Sequence, residues 1–460
     1  MRLPFFLLAL ALCAPLGAQQ LRLPPPSQTV ATDPAADPFL QALAVREAAA
    51  TDDFAARIAE AVLRHPQSGI AQAGTDAAAA RRQQLRSAIF PRIEAAFIGA
   101  RALDRDFSGN STIIESSIPR GRADAQLIVE APLFDAGAIG RIAGGSARLR
   151  AARADAGATG LDTALEAISA HYQLLALAGL ADIAAARAER HRTILDATSE
   201  RVRAGVGAGG DIPRAQAGLA QAEAEATRLQ RGREGAAARY TAAFGLPAPL
   251  LPMRPQPPAS RATSPEAAAA LAQSSPAVVA AEAEAEAARA DARATARDRL
   301  PTLAASVSGT RYNVFDAGPN QEVRGQLILR QGFSTGGLEA ARTREAQARA
   351  RAAGHAADLA RQEAIRETIT ALADVQGIDR LRANLRAAYI ADRQTRDTMA
   401  EQVRLSRGEL LELIRAEDAL AASAAALLQA ELETDLARFT LTARTGELAA
   451  VLGLQTMDPR

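Results

Sequence analysis

Charged residues gather at two places where a long proline-free stretch is broken by glycine. Arg203, Asp211 and Arg214 surround the first; Arg404, Arg407, Glu412, Arg415, Glu417 and Asp418 surround the second. Such groups support one kind of chemistry, reversible ion pairing and selection by charge. Brought round a symmetry axis, they would form rings that sort ions and lock an opening through ion pairs. The plainer reading is helix-end solvation, with Asp211 at a helix start where the dipole favours an anion. Catalysis finds no support. His65, His171, His191 and His355 are scattered without metal-ligand spacing. No glycine-rich loop follows a strand and opens a helix, and no Ser/His/Asp pattern stands out. The acidic run Glu282, Glu284, Glu286 reads as a solvated helix face. Neither metal nor cofactor is expected, and the chain does not read as an enzyme.

Composition narrows the classes further. The 460 residues carry 53 basic and 52 acidic side chains, every basic one an arginine, for a net charge of +1. No basic stripe with interleaved aromatics appears, which excludes a nucleic-acid partner. Arg2, an apolar run from Leu3 to Leu16 and the small residue Ala18 mark residues 1–18 as a secretory signal peptide. Cys13, the single cysteine, lies inside it. That run is too short to span a bilayer, and no other stretch reads as a transmembrane helix. Any membrane passage must therefore use strands.

The elements that would position the two charged breaks come in duplicate. Pro66, Pro91, Gly99 and Arg101 recur as Pro276, Pro301, Gly309 and Arg311. Glu200, Val202, Arg203, Gly207 and Arg214 recur as Glu401, Val403, Arg404, Gly408 and Arg415. The order reads as a leader over 19–50, a first repeat over 51–246, a linker over 247–263, a second repeat over 264–455 and a tail over 456–460. Within each repeat, helices stop at a proline and the period then changes. Ile93, Ala95, Phe97 and Leu303, Ala305, Val307 alternate with polar or small neighbours. Each repeat thus carries a hairpin, about 91–134 and about 301–333, of strands long enough to cross a membrane. Phe90, Phe107, Phe134, Tyr312, Phe315 and Phe333 fall where interfacial aromatics belong. Long helices follow, over about 138–204 and 338–404, each some 67 residues and about 100 Å at 1.5 Å per residue. They turn at tips over 203–212 and 403–413, where Asp211 is placed to cap the returning helix. The fold class is mainly α with a small β part: long antiparallel coiled-coil helices in two repeats, each with an inserted β-hairpin. Two half-cores of this kind are expected to close only against each other.

Several segments resemble the TolC family of outer-membrane channel proteins over roughly residues 50–455. Asp53 to Pro66 is similar to the family's opening helix, which ends in an Asn/His-Pro step. Pro132-Leu133-Phe134-Asp135-Ala136-Gly137 is close to its Pro-Leu-Phe-Asp-Gly-Gly junction, whereas the second copy reads Gln331-Gly332-Phe333-Ser334-Thr335-Gly336-Gly337. Arg203-Ala204-Gly205-Val206 through Asp211-Ile212 resembles the tip turn. The resemblance implies a homotrimer in outer-membrane lipid, four strands from each copy in a shared β-barrel and a helical tube in the periplasm. It implies a periplasmic adaptor and an inner-membrane transporter as partners, and a passive duct for small-molecule efflux or type I protein secretion. The adaptor would meet Arg203, Ala204, Gly205, Val206, Leu405, Ser406 and Arg407. Asp211, Arg404, Arg407, Glu412 and Arg415 would set gating and selectivity, with Glu412 where the family often has an acidic ring. The usual partners of the gate acid map to Val403 and Gly408, leaving Arg404 or Arg407 as cations for Asp211. The rival reading is a periplasmic coiled-coil structural or adaptor protein without a pore.

Overall fold

The computed structural model describes residues 23–26, 37–44, 50–104, 121–250, 252–315, 318, 320–333, 335–405 and 407–454. The expected signal peptide, the tail, Phe107 and Ser406 lie outside them. The first repeat runs α1 (Pro38–Ala44), α2 (Ala50–Arg64), α3 (Pro66–Ser87), β1 (Arg92–Arg101), β2 (Gly121–Asp135), α4 (Ala136–Arg203) and α5 (Asp211–Phe244). The second runs α6 (Pro265–Ala272), α7 (Pro276–Arg297), β3 (Thr302–Arg311), β4 (Gln321–Arg330), α8 (Leu338–Arg404), α9 (Leu410–Arg444) and α10 (Glu447–Val451).

The boundaries follow from local chemistry. Prolines open α3, α6 and α7, at the position whose amide would lack a partner in any case. Ser264 caps α6, its Oγ accepting from the Ala267 amide at 3.2 Å. Asp135 ends β2 and starts α4, its carboxylate accepting from the Ala138 amide at 2.8 Å. The Pro-Leu-Phe-Asp junction is thus a strand end carrying its own helix cap. The leader is more than extended chain: it contains α1, capped by Asp37, and buries Phe39, Leu40 and Leu43.

Contacts divide the chain into two compact units, and the division cuts across the repeats. One unit is residues 71–156 with 277–360; the other is 1–70, 157–276 and 361–460. The first holds a four-stranded antiparallel sheet in the order β1-β2-β3-β4, so the two hairpins join through β2 and β3. Its helices pack through alanine, with Ala147 and Ala151 against Ala287 and Ala290. At Gly140 the neighbouring helix brings its backbone against the glycine, since a Cβ there would sit 2.8 Å from the Ala294 Cα. The glycine is an element of packing, where sequence alone reads a tolerated flaw in a helix.

The second unit holds the main core. Phe54, Ile58 and Val62 from α2 meet Ile168, Tyr172 and Leu174 from α4. Tyr240 and Phe244 from α5 and Leu420, Leu427, Leu428 and Phe439 from α9 complete it. Each buried Leu, Ile or Phe contributes about 1.5–3 kcal/mol. Residues of both repeats are interleaved here, so neither repeat has this core alone. One stretch of α4 does reach the length and mean hydropathy (1.2) of a membrane span, contrary to expectation, but 61% of it is buried inside the protein. It is apolar because it packs in this core.

Candidate functional site: the sheet faces and the helical tips

Antiparallel register decides which strand residues share a face. Ile93, Ala95 and Phe97 align with Val129, Leu127 and Ala125. Val129 and Leu127 align with Val307 and Gly309, and Leu303, Val307 and Gly309 with Leu329, Gly325 and Val323. This face is apolar along its length, and Ile93, Phe97, Val323, Leu327 and Leu329 are each more than 60% exposed. Phe315 meets Phe97 edge-on, ring centroids 6.4 Å apart. The opposite face carries Glu94, Arg122, Asp124, Gln126, Glu130, Ser306, Ser308, Thr310, Glu322, Arg324 and Arg330. Three of its ion pairs form within the sheet: Arg122 with Asp124 at 2.8 Å, Arg324 with Glu322 at 2.5 Å and Arg330 with Glu130 at 3.6 Å. Among the described residues, no strand lies beside the outer edges of β1 and β4.

Of the expected interfacial aromatics, Phe90, Phe134, Phe315 and Phe333 are exposed at strand ends. Tyr312 departs from expectation. Its hydroxyl donates to Glu322 Oε2 at 3.1 Å and Arg122 lies over its ring, so it belongs to the polar side.

At the first tip α4 ends on three backbone bonds, Ala204 to Glu200, Gly205 to Val202 and Val206 to Arg201. Gly205 takes φ +74°, which only glycine adopts freely, and this presents Val206 to solvent. Asp211 does not cap α5: Gly210 holds that position and Asp211 falls in the first turn. The glycine-rich turn carries helical geometry one residue further back, with the Asp211 amide already bonded to Ala208. The Asp211 carboxylate lies 3.7 Å from Arg214, and Arg203 pairs with Glu200.

At the second tip Arg404 donates to both oxygens of Glu401, at 2.6 and 2.8 Å. Leu405 is exposed, Arg407 bonds the Gln402 carbonyl through its amide, and Glu412 pairs with Arg415 at 2.8 Å. Arg201 ties the tips together by donating to the Val403 carbonyl at 3.0 Å. Between them lies a cavity of about 890 Å³ lined by Pro26, Ile194, Val206, Val403, Leu410 and Leu413. Asp211 and Arg404 line the same cavity, yet each pairs within its own helix. Arg407, Glu412 and Arg415 are not among its lining residues.

Behind the cavity runs a buried chain of alternating charge that sequence reading does not assemble. Glu417 Oε1 accepts from Arg190 at 3.2 Å, and its Oε2 from Arg396 at 3.3 Å. Arg396, fully buried, also bonds Asp397 at 2.8 Å and the Pro24 carbonyl at 3.0 Å. Arg393 continues the chain to Asp37, which Tyr389 also contacts. Three arginines thus face three carboxylates drawn from α4, α8, α9 and the leader. Beside them Asp418 binds Arg187 and His191. Burial alone would raise the Asp418 pKa, but those two partners hold it below the usual carboxylate value. The signal was present in sequence. Arg393 and Arg396 share the helical stripe of Tyr389, Ala400 and Val403, and Glu417 shares that of Leu413, Leu420 and Ala424. Charges on an apolar stripe are buried charges.

The residue pattern of the outer membrane efflux proteins matches residues 58–246 and 268–447. The chain belongs to the outer membrane efflux protein family. Solved structures of the same fold include the outer-membrane channel OprN, 22% identical over 86% of this chain and 91% of its own, TM-score 0.74. VceC of Vibrio cholerae is 17% identical over 86% of this chain and 96% of its own, TM-score 0.74. The open state of the Neisseria gonorrhoeae MtrE channel is 18% identical over 85% and 88%, TM-score 0.71. No curated protein sequence matches the chain. Family membership places this protein in the outer membrane, in efflux.

Proposed function

We propose that this efflux protein is the passive exit duct of a tripartite export machine, three copies closing one barrel of twelve strands. The observation that carries the reading is the sheet, apolar along one face and charged along the other, with both edges open. A soluble sheet hides its apolar face against another layer. Here that face suits lipid, the polar face a water-filled lumen, and strand pairing between copies removes the open edges. Ten-residue strands such as β1, β3 and β4 fit the hydrocarbon layer when tilted. Asp211, Arg404, Arg407, Glu412 and Arg415 line the periplasmic mouth of the trimer. The turns at Arg203 to Val206 and Leu405 to Arg407 receive a periplasmic adaptor that joins the duct to an inner-membrane transporter. The duct does no chemistry, and the choice of cargo belongs to the transporter.

The test is direct. Purified protein should require detergent, migrate as a heat-sensitive trimer and conduct in planar bilayers. A monomer soluble without detergent and silent in bilayers would sink the duct and favour a periplasmic rod.

A further inference from the structure

The apolar sheet face ends in two arginines, and they occupy the same place in each repeat. Register puts Arg101 of β1 and Arg311 of β3 on the face of Phe97, Val307 and Leu327, at the loop end of each hairpin. Both are exposed. No acidic residue shares this face of the four strands, and no described carboxylate bonds to either arginine. On the polar face, by contrast, Arg122, Arg324 and Arg330 each have a carboxylate partner.

The two repeats diverge almost everywhere else along these strands. On the polar face Arg92, Glu94, Ala96 and Ile98 of β1 correspond to Thr302, Ala304, Ser306 and Ser308 of β3. Only one charge is kept, in Gly99-Ala100-Arg101 and Gly309-Thr310-Arg311. The glycines are kept with it, although neither has positive φ and a Cβ at either would meet nothing within 4 Å. Nothing among the described residues requires them. What they do is leave bare backbone on the lipid-facing side, one pleat below each arginine. Two strands and four residues separate the arginines, about 16 Å, so they address separate groups.

We propose that Arg101 and Arg311 bind the phosphates of the phosphorylated glycolipid in the external leaflet of the outer membrane. The inference rests on the duct reading, which puts the helix end of the sheet in the periplasm and the loop end outside. An unpaired guanidinium at the rim of a lipid-facing wall is stabilised when its long stem lies along apolar surface and its fork meets an anion. Phe97 and Phe315 beside it suit the same interfacial depth. Glycolipid phosphates supply the anion at that depth, and the glycines give the headgroup room to approach.

The experiment titrates the purified full-length trimer with three lipids by native mass spectrometry: bisphosphorylated lipid A, the same lipid A with both phosphates removed, and phosphatidylglycerol. Wild type should prefer the phosphorylated lipid A over both others. Arg101→Gln and Arg311→Gln should each weaken that binding about fivefold, and the double variant about thirtyfold, while Arg122→Gln on the polar face changes nothing. Equal binding of the dephosphorylated lipid by wild type would overturn the proposal without any variant. Equal binding of phosphatidylglycerol would overturn the assignment to glycolipid. A double variant that binds as wild type does, or an Arg122→Gln loss of similar size, would remove the two arginines from it. Conductance of the same wild-type preparation keeps the two readings apart: a conducting trimer blind to lipid phosphate fails only here.

Discussion

Replacing Glu417 by Gln should loosen the tip. Glu417 is 2% exposed and holds Arg190 of α4 with one oxygen and Arg396 of α8 with the other. Neutralising it leaves three cations facing two carboxylates in the buried chain. Removing one partner of a buried ion pair costs about 3–5 kcal/mol. The lower end applies here, because Arg396 keeps Asp397 and the Pro24 carbonyl while Arg190, its side chain 23% exposed, can turn towards water. About 3 kcal/mol corresponds to a factor on the order of a hundred in an equilibrium constant. If the chain of charges holds α4 against α9 in the closed tip, that factor falls on the closed-to-open balance. Planar-bilayer conductance and susceptibility of cells to a large antibiotic read it out, with heat-sensitive trimer migration confirming assembly. The double variant Glu417→Gln, Arg190→Gln balances the charge again and should recover most of the wild-type behaviour. An assembled Glu417→Gln trimer with wild-type conductance, or a double variant as leaky as the single one, would refute the latch.

Three further outcomes are expected. Arg404→Glu and Arg407→Glu should leave thermal stability unchanged, because the Arg404 to Glu401 pair is exposed, but should raise conductance; unchanged conductance in both removes the charged ring at the mouth. His171 is fully buried with its Nε2 2.8 Å from the Met253 carbonyl, and burial, aided by Arg57, lowers its pKa to about 4. The folded state therefore binds fewer protons than the unfolded one between pH 6.5 and 4, and about 3 kcal/mol present at neutral pH is lost across that window; melting of His171→Gln against wild type at pH 7.5 and 4.5 checks it, and equal acid sensitivity refutes it. Gly140→Ala drives a methyl into the Ala294 backbone and should cost about 1–3 kcal/mol, read as earlier loss of the trimer on heating.

Much of this architecture was legible because its signals are local. Prolines at 66, 91, 276 and 301 punctuate helix and strand, alternation at Ile93, Ala95 and Phe97 gives the strand period, and the proline-free stretches give the two long helices. The Pro-Leu-Phe-Asp junction was readable as a boundary, and the structure adds that Asp135 caps the helix it introduces. What escaped depends on contacts distant in sequence. Asp211 reads as a cap by type, but the glycine run puts the cap of α5 at Gly210 and Asp211 in its first turn. Tyr312 counts as an interfacial aromatic by position, yet the alternation of the strand turns it to Glu322. The leader looks like polar chain because its anchors, Arg393 and Arg396, stand more than 350 residues away. Arg254, in what reads as a mere linker, bonds Asp435 at 2.6 Å and Glu431 at 2.9 Å. Side-chain type gives the capacity for a bond, and only the fold supplies the partner.

The boundaries between the two compact units carry a consequence for dissection. The chain passes from one unit to the other four times, at residues 70/71, 156/157, 276/277 and 360/361. The first falls in α3, the second and fourth inside the 68- and 67-residue helices, and the third at the start of α7. None is an exposed flexible linker, where proteases cut most readily. A single nick anywhere leaves at least three covalent ties between the units. Limited digestion should therefore trim loops and yield a nicked protein that holds together until it is denatured, and neither unit can be excised as one continuous piece of chain.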